Sequence, residues 1–294
     1  MDSTRITSLN NLAQARIGRR SFLRQAGILG VGATAASFAL GRTAFADETE
    51  SWAERTQETE QGKDTVKEIF TAALIAEDLA TTFYYNGLIG PVIQDPNLAG
   101  AGGSATNVTS GGNAGNVNYL QAALSEEIAH ANLFRSLLRI SSAHDDPVQT
   151  FYFPAGSFDT LGAFLGLLNA LENAFIGAYL NAIQEFSTKA AVVDENSPNS
   201  SETLRYYAKV AASIMGIEAE HRVLGRVIGN NNPANNLNYE QTDGLNAVYN
   251  GPHSAVAALI PFLTPGTGPA ASFATALANH GSVSIPVSGG PPVF

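Results

Sequence analysis

The chain has no cysteine, which excludes disulfides, thiolate metal ligands and cysteine nucleophiles. Its fold must therefore hold on core packing alone. Charge is scarce: only 14% of the 294 residues are Asp, Glu, Lys or Arg, whereas 45% are hydrophobic. That balance excludes a disordered chain and allows one large domain or two small ones. Basic residues are scarcer than acidic ones, 16 against 26, for a net charge of −10. Six of the 16 basic residues and one of the 26 acidic residues fall in residues 1–46, leaving residues 47–294 at 10 minus 25, or −15. Such a surface repels nucleic acid and anionic lipid head groups and attracts cations. Long apolar runs are also missing. Beyond the first 46 residues no stretch approaches 18 apolar residues, so no second membrane span is expected.

What is present begins with an address. Arg19-Arg20-Ser21-Phe22-Leu23-Arg24 precedes an uncharged stretch from Ala26 to Leu40 that is rich in Ala and Gly. Ala44-Phe45-Ala46 then fits the small-x-small cleavage rule, with Asp47 as the new first residue. Residues 1–46 resemble a twin-arginine export signal. The resemblance implies the twin-arginine machinery as a partner, export of an already folded chain, and a periplasmic or extracellular destination. It also implies that any cofactor is taken up in the cytoplasm, and that no stable span remains after cleavage; the other reading is a basic helix that stays attached as a membrane anchor, for which Gly27, Gly30, Gly32 and Gly41 make a poor spanning helix.

Residues 47–63 read as a polar lead-in. Four segments then repeat apolar residues with helical period, at roughly 64–90, 117–142, 157–190 and 202–229. Each is long enough to span a bundle of about 35–40 Å. The Gly-, Ser-, Asn- and Thr-rich residues 94–116 read as a flexible excursion. Residues 143–156 carry a strand-like Gln149 to Phe153, and when extended can run the length of a bundle. Asn230-Asn231-Asn232-Pro233 is a sharp stop. Residues 230–294 read as a C-terminal extension, with short helices near 253–263 and 269–279 in a Pro- and Gly-punctuated tail.

The anomaly is a carboxylate inside each apolar stripe, because burying an unpaired charge is expensive. Glu77, Glu127, Glu172 and Glu218 each sit near the middle of a segment. Two of them continue with His three residues later, in Glu127-Ile128-Ala129-His130 and Glu218-Ala219-Glu220-His221. On a helix, positions i and i+3 share a face, so each pair can reach one point in the core. Metal cations are the usual reason for such carboxylates to converge. An internal repeat supports the pattern. Glu77 is followed by Tyr84 and Asn86, and Glu172 by Tyr179 and Asn181 at the same offsets, as in two copies of one hairpin.

The order Glu, Glu-x-x-His, Glu, Glu-x-x-His over residues 64–229 resembles the ferritin-like di-iron and di-manganese carboxylate proteins. The resemblance implies an all-α four-helix bundle with a long crossover between helices 2 and 3. It implies two iron or manganese ions, bridged by Glu127 and Glu218. His130 and His221 would each ligate one ion, with Glu77 and Glu172 as terminal ligands. It further implies chemistry with oxygen or peroxide, of ferroxidase, oxidase or manganese-catalase type, or metal handling.

Other readings stay open at this point. The six residues can form a metal-free polar network in which each His pairs with a Glu. Tyr84 and Tyr179 read as core aromatics with satisfied hydroxyls, or as donors to a ligand carboxylate. Glu126, Asp78 and Glu220 adjoin ligands, but their helical angle points them away from the stripe, so they read as solvated or as supports placed behind a ligand. His144, His253 and His280 lack a Glu at the right spacing and read as surface or loop residues. The helical region and its Phe-Pro-containing crossover also resemble ferritin-like proteins linked with desiccation, which implies a structural or stress-protective bundle without catalysis. The chain could form a homo-oligomer, but the long loop and tail would obstruct a closed iron-storage shell.

Overall fold

The computed structural model describes residues 64–231 and 255–285. Residues 1–63, for which an export signal and a polar lead-in are expected, lie outside them, as do His253 and the end of the tail. Four helices form the body: α1 (Val66–Ile89), α2 (Ala114–Leu138), α3 (Leu161–Ala191) and α4 (Ser201–Ile228). Each starts on a side-chain cap that satisfies an otherwise orphaned backbone N–H: Thr65, Asn113, Thr160 and Ser200. Thr65 and Glu68 complete a capping box. At the far end of α2, Arg139 turns left-handed at φ 59° and stops the helix earlier than its periodicity suggests. The helices pack chiefly as two hairpins, α1 with α2 and α3 with α4.

The core divides into two apolar clusters. One includes Leu79, Phe83, Leu120, Leu124, Phe164 and Leu168. The other includes Phe70, Phe134, Phe186 and Ile214, towards the opposite end of the bundle. The four stripe glutamates lie at the junction between them, so apolar packing closes over the polar level from both sides. α3 is long and apolar enough to cross a membrane by length and composition, although it holds no unbroken apolar run of that length. Here it is the core helix, mostly buried among its neighbours, with Glu172 at its centre.

The crossover from α2 to α3 contains β1 (Thr150–Tyr152), where the strand-like sequence lies. Its partner was not legible from sequence. β2 (Ala270–Ser272) comes from the C-terminal extension and pairs with β1 antiparallel, with Phe151 opposite Ala271. β2 is flanked by α5 (Ala255–Leu263), which packs on α3, and α6 (Phe273–Asn279), which packs on α1. Phe153 meets Phe262 with ring centroids 5.7 Å apart, and Phe273 is fully buried. The extension thus fastens the crossover to the bundle.

Of residues 94–116 the last three open α2, and those up to Asn113 form a packed loop, contrary to the flexible reading. Leu98 and Ala99 are fully buried. Asn113 N–H donates to the Leu98 carbonyl at 2.6 Å, and Thr109 N–H to that of Ala99 at 2.9 Å. Gly100 supplies a positive φ of 79° that the turn requires. Composition signalled a loop, but two apolar anchors decide that it docks.

Candidate metal centre

α1 contributes Glu77, α2 contributes Glu127 and His130, α3 contributes Glu172, and α4 contributes Glu218 and His221. All six are buried. Their ligand atoms form two overlapping groups, each with its members within 4.8 Å of one another. Glu77, Glu127, His130 and Glu218 make the first, and Glu127, Glu172, Glu218 and His221 the second. Glu127 and Glu218 belong to both.

Distances within the cluster are short. His130 Nδ1 lies 3.3 Å from Glu77 Oε2 and 3.6 Å from both Glu127 Oε2 and Glu218 Oε1. His221 Nδ1 lies 3.0 Å from Glu127 Oε1, 3.6 Å from Glu218 Oε2 and 3.9 Å from Glu172 Oε1. Yet Glu77 Oε2, both Glu127 oxygens, Glu172 Oε2, Glu218 Oε2 and both Nδ1 atoms are buried without a hydrogen bond of proper geometry. Seven inward-facing polar atoms without hydrogen bonds are costly in a dry core. A cation at the centre of each group would satisfy them, and the donor set of carboxylate oxygens with two imidazoles suits iron or manganese.

Electrostatics describe the same strain. Burial raises the Glu172 carboxyl well above its ordinary range, and Glu218 and Glu127 raise it further, against the His221 charge and the Tyr84 hydrogen bond. Burial and then Glu127 raise Glu218. Burial pulls both imidazoles down, but the carboxylates around them more than reverse this. His130 is raised well above its ordinary value by Glu77, Glu127 and Glu218, and His221 by Glu126, Glu127 and Glu218. Without a metal, protons must do the neutralising.

The flanking groups are ordered. Tyr84 Oη donates to Glu172 Oε1 at 2.6 Å, and Tyr179 Oη donates to Glu77 Oε1. Burial, then the partner carboxylate, raises both phenols well above their usual value, so both remain donors. Arg222, fully buried beside His221, donates to Asn173 Oδ1 at 2.6 Å and ties α4 to α3.

Of the neighbours that read as solvated or as supports behind a ligand, two are not solvated. Glu126 is only 30% exposed in its side chain, and its Oε2 lies 2.8 Å from His221 Nε2. Asp78 is fully buried and is held by Arg135 Nη2 at 2.7 Å. Arg135 also binds Asp146 of the crossover at 2.6 Å. Burial, partly offset by Arg135, raises Asp78 well above its ordinary range. The helical angle of Asp78 does point off the stripe, but the crossover covers that face. Glu220 and His144 are exposed as expected, and His280 is half-buried with Nδ1 2.6 Å from the Leu277 carbonyl.

Residues 65–229, which span all four bundle helices, match the family model of the ferritin-like domain. No curated protein and no solved structure matches the chain.

Proposed function

Because this chain belongs to the ferritin-like domain family, we propose that its buried carboxylate–imidazole cluster binds two iron or manganese ions for redox chemistry with oxygen or peroxide, or for metal handling. The observation that carries this reading is the set of seven buried atoms without hydrogen bonds, in two groups that share Glu127 and Glu218. Glu77 and His130 would hold one ion, Glu172 and His221 the other, and Glu127 and Glu218 both. A bound pair of redox metals supplies the capacity for two-electron exchange with oxygen or peroxide. The chain's own groups do the rest. Tyr84 and Tyr179 hold the terminal carboxylates in one orientation. Glu126 keeps the proton on His221 Nε2, which leaves Nδ1 free to ligate. The two apolar clusters exclude water from above and below.

Export is part of the proposal. The twin-arginine-like residues 1–46 would send the folded, metal-loaded chain to the periplasm or beyond, and they are the only support for that location. The opposing reading is a stress-protective bundle without catalysis.

Expression with the signal intact, recovery of the mature chain from outside the cytoplasm and elemental mass spectrometry test the proposal. About two iron or manganese per chain, lost in Glu127→Ala/Glu218→Ala, is the expected result. A metal-free wild type that folds as well as the variant would leave the structural bundle in its place.

A further inference from the structure

The bundle repeats one hairpin motif, and the two copies agree at the six ligand candidates and at the two tyrosines, while several neighbours differ, among them Asp78 against Asn173 and Ala131 against Arg222. Glu77 answers to Glu172, Tyr84 to Tyr179, Glu127 to Glu218 and His130 to His221. They differ as well at the residue before each shared carboxylate. On α2 it is Glu126, and on α4 it is Ile217. Both side chains are half-buried.

Glu126 stands 2.8 Å from His221 Nε2. A carboxylate accepts only, so Nε2 carries a hydrogen, and when an ion displaces the Nδ1 proton it is Nδ1, on the side of Glu127, Glu218 and Glu172, that would ligate. Ile217 offers the other imidazole no acceptor. Glu77, Glu127 and Glu218 approach His130 at Nδ1, and among the described residues none hydrogen-bonds its Nε2. His130 also lies nearer the surface, at 9% exposed against 1% for His221.

We infer that the two metal positions are unequal. The one at His221 holds its ion firmly, and the one at His130 is where metal enters, leaves and exchanges. The inference rests on the metal-binding reading above. A carboxylate behind a ligating imidazole fixes its tautomer and its ring plane and raises its basicity, and losing such a partner costs about 10–100-fold in affinity. Glu126 is a positioning residue, which acts on the ion through His221.

The test is a titration of the metal-free full chain with Mn²⁺ under argon, with free Mn²⁺ read from its paramagnetic resonance signal. Two dications this close repel, so a second weaker step is expected of any such pair and assigns nothing alone. The variants assign it. Glu126→Ala should weaken the tight step by about 10–100-fold and leave the weak step in place. Glu126→Gln, whose amide oxygen still accepts the Nε2 hydrogen, should recover most of that loss. Ile217→Glu, which gives the second hairpin the acceptor it lacks, should tighten the weak step. Tight-step affinity unchanged in Glu126→Ala, or the weak step unmoved in a folded Ile217→Glu chain, overturns the inference. A wild-type chain that takes up no Mn²⁺ at any concentration overturns the metal reading beneath it.

Discussion

Tyr84 of α1 donates its hydroxyl to Glu172 of α3 at 2.6 Å, so the phenol of one hairpin holds the carboxylate of the other. Tyr179 of α3 returns the same contact to Glu77 of α1. In the sequence these residues form a Glu-x₆-Tyr repeat within each helix. In the fold each tyrosine serves the other helix's glutamate. Seven positions is nearly two turns, so Glu and Tyr share a face but stand about 10 Å apart along the axis, too far to bond within one helix. The repeat is therefore a device for joining α1 to α3 across the cluster, where those helices touch sparsely.

Replacing Tyr84 with Phe leaves the ring and removes the donor to a buried carboxylate. A hydrogen bond to a charged group contributes about 1.5–3 kcal/mol. Metal affinity should fall about tenfold or more, because a tenfold change corresponds to about 1.4 kcal/mol. Competition against a chelator of known affinity reads this directly. Tyr179→Phe should match it at the Glu77 side. Unchanged affinity in both variants would reduce the two tyrosines to core packing.

Arg135 is the sole described cation facing buried Asp78 and Asp146, and its guanidinium also lies 5.4 Å from the Phe273 ring centroid. It joins α1, α2, the crossover and α6 at one point. Arg135→Met strands two buried carboxylates and should cost about 3–5 kcal/mol in urea unfolding. The triple variant Asp78→Leu/Arg135→Met/Asp146→Leu, with no charge left to bury, should recover most of that loss. A cost below about 1 kcal/mol for the single variant would mean the cluster is too hydrated to act as a clamp.

What the sequence made legible follows from what periodicity can carry. The four helices and the inward set of Glu77, Glu127, His130, Glu172, Glu218 and His221 share one helical stripe, so their convergence could be read from spacing. Asp78 and Glu126 could not be placed that way. Each sits one residue off the stripe, and its burial is set by what covers that face: the crossover and Arg135 for Asp78, and His221 of another helix for Glu126. The β1–β2 pairing joins segments about 120 residues apart, and three-residue strands leave little periodic signal. Loop 94–116 was misread because Gly and Asn dominated its composition, while Leu98 and Ala99 dominate its packing.

Gly268 shows how tightly the C-terminal extension is fitted. A β-carbon there would stand 1.6 Å from the Phe153 carbonyl oxygen, which is backbone and cannot swing aside. The adjoining Pro269 carbonyl accepts from Phe153 N–H at 3.2 Å. Gly268→Ala should force the two segments apart and cost about 1–3 kcal/mol, as overpacking does. Hydrogen exchange should localise the damage: amides of Phe151 to Phe153 should exchange faster, while mid-helix amides of α3 keep their protection. Wild-type protection at Phe151 to Phe153 in the variant would show that the contact is not needed.

Metal removal should make stability depend on pH with a definite sign. In the metal-free chain, burial and neighbouring carboxylates hold Glu172 and Glu218 above the ordinary 4.5, so the folded state keeps protons that the unfolded state releases. His130 and His221 are raised above the ordinary 6.5, with the same consequence at higher pH. The stabilisation from all four groups is present at low pH and is lost as pH rises from about 4.5, through the folded-state values, so the metal-free midpoint should fall between pH 5 and pH 8. Ions replace those protons on binding, so metal affinity rises with pH and the gap between loaded and metal-free midpoints should widen over the same range. Surface carboxylates contribute a background, which Glu172→Gln/Glu218→Gln separates by removing two of the four titrations. Calorimetry in excess chelator, and again in excess Mn²⁺, gives both curves. A metal-free midpoint with the same pH slope in wild type and double variant would show that these carboxyls do not govern the stability of the empty bundle.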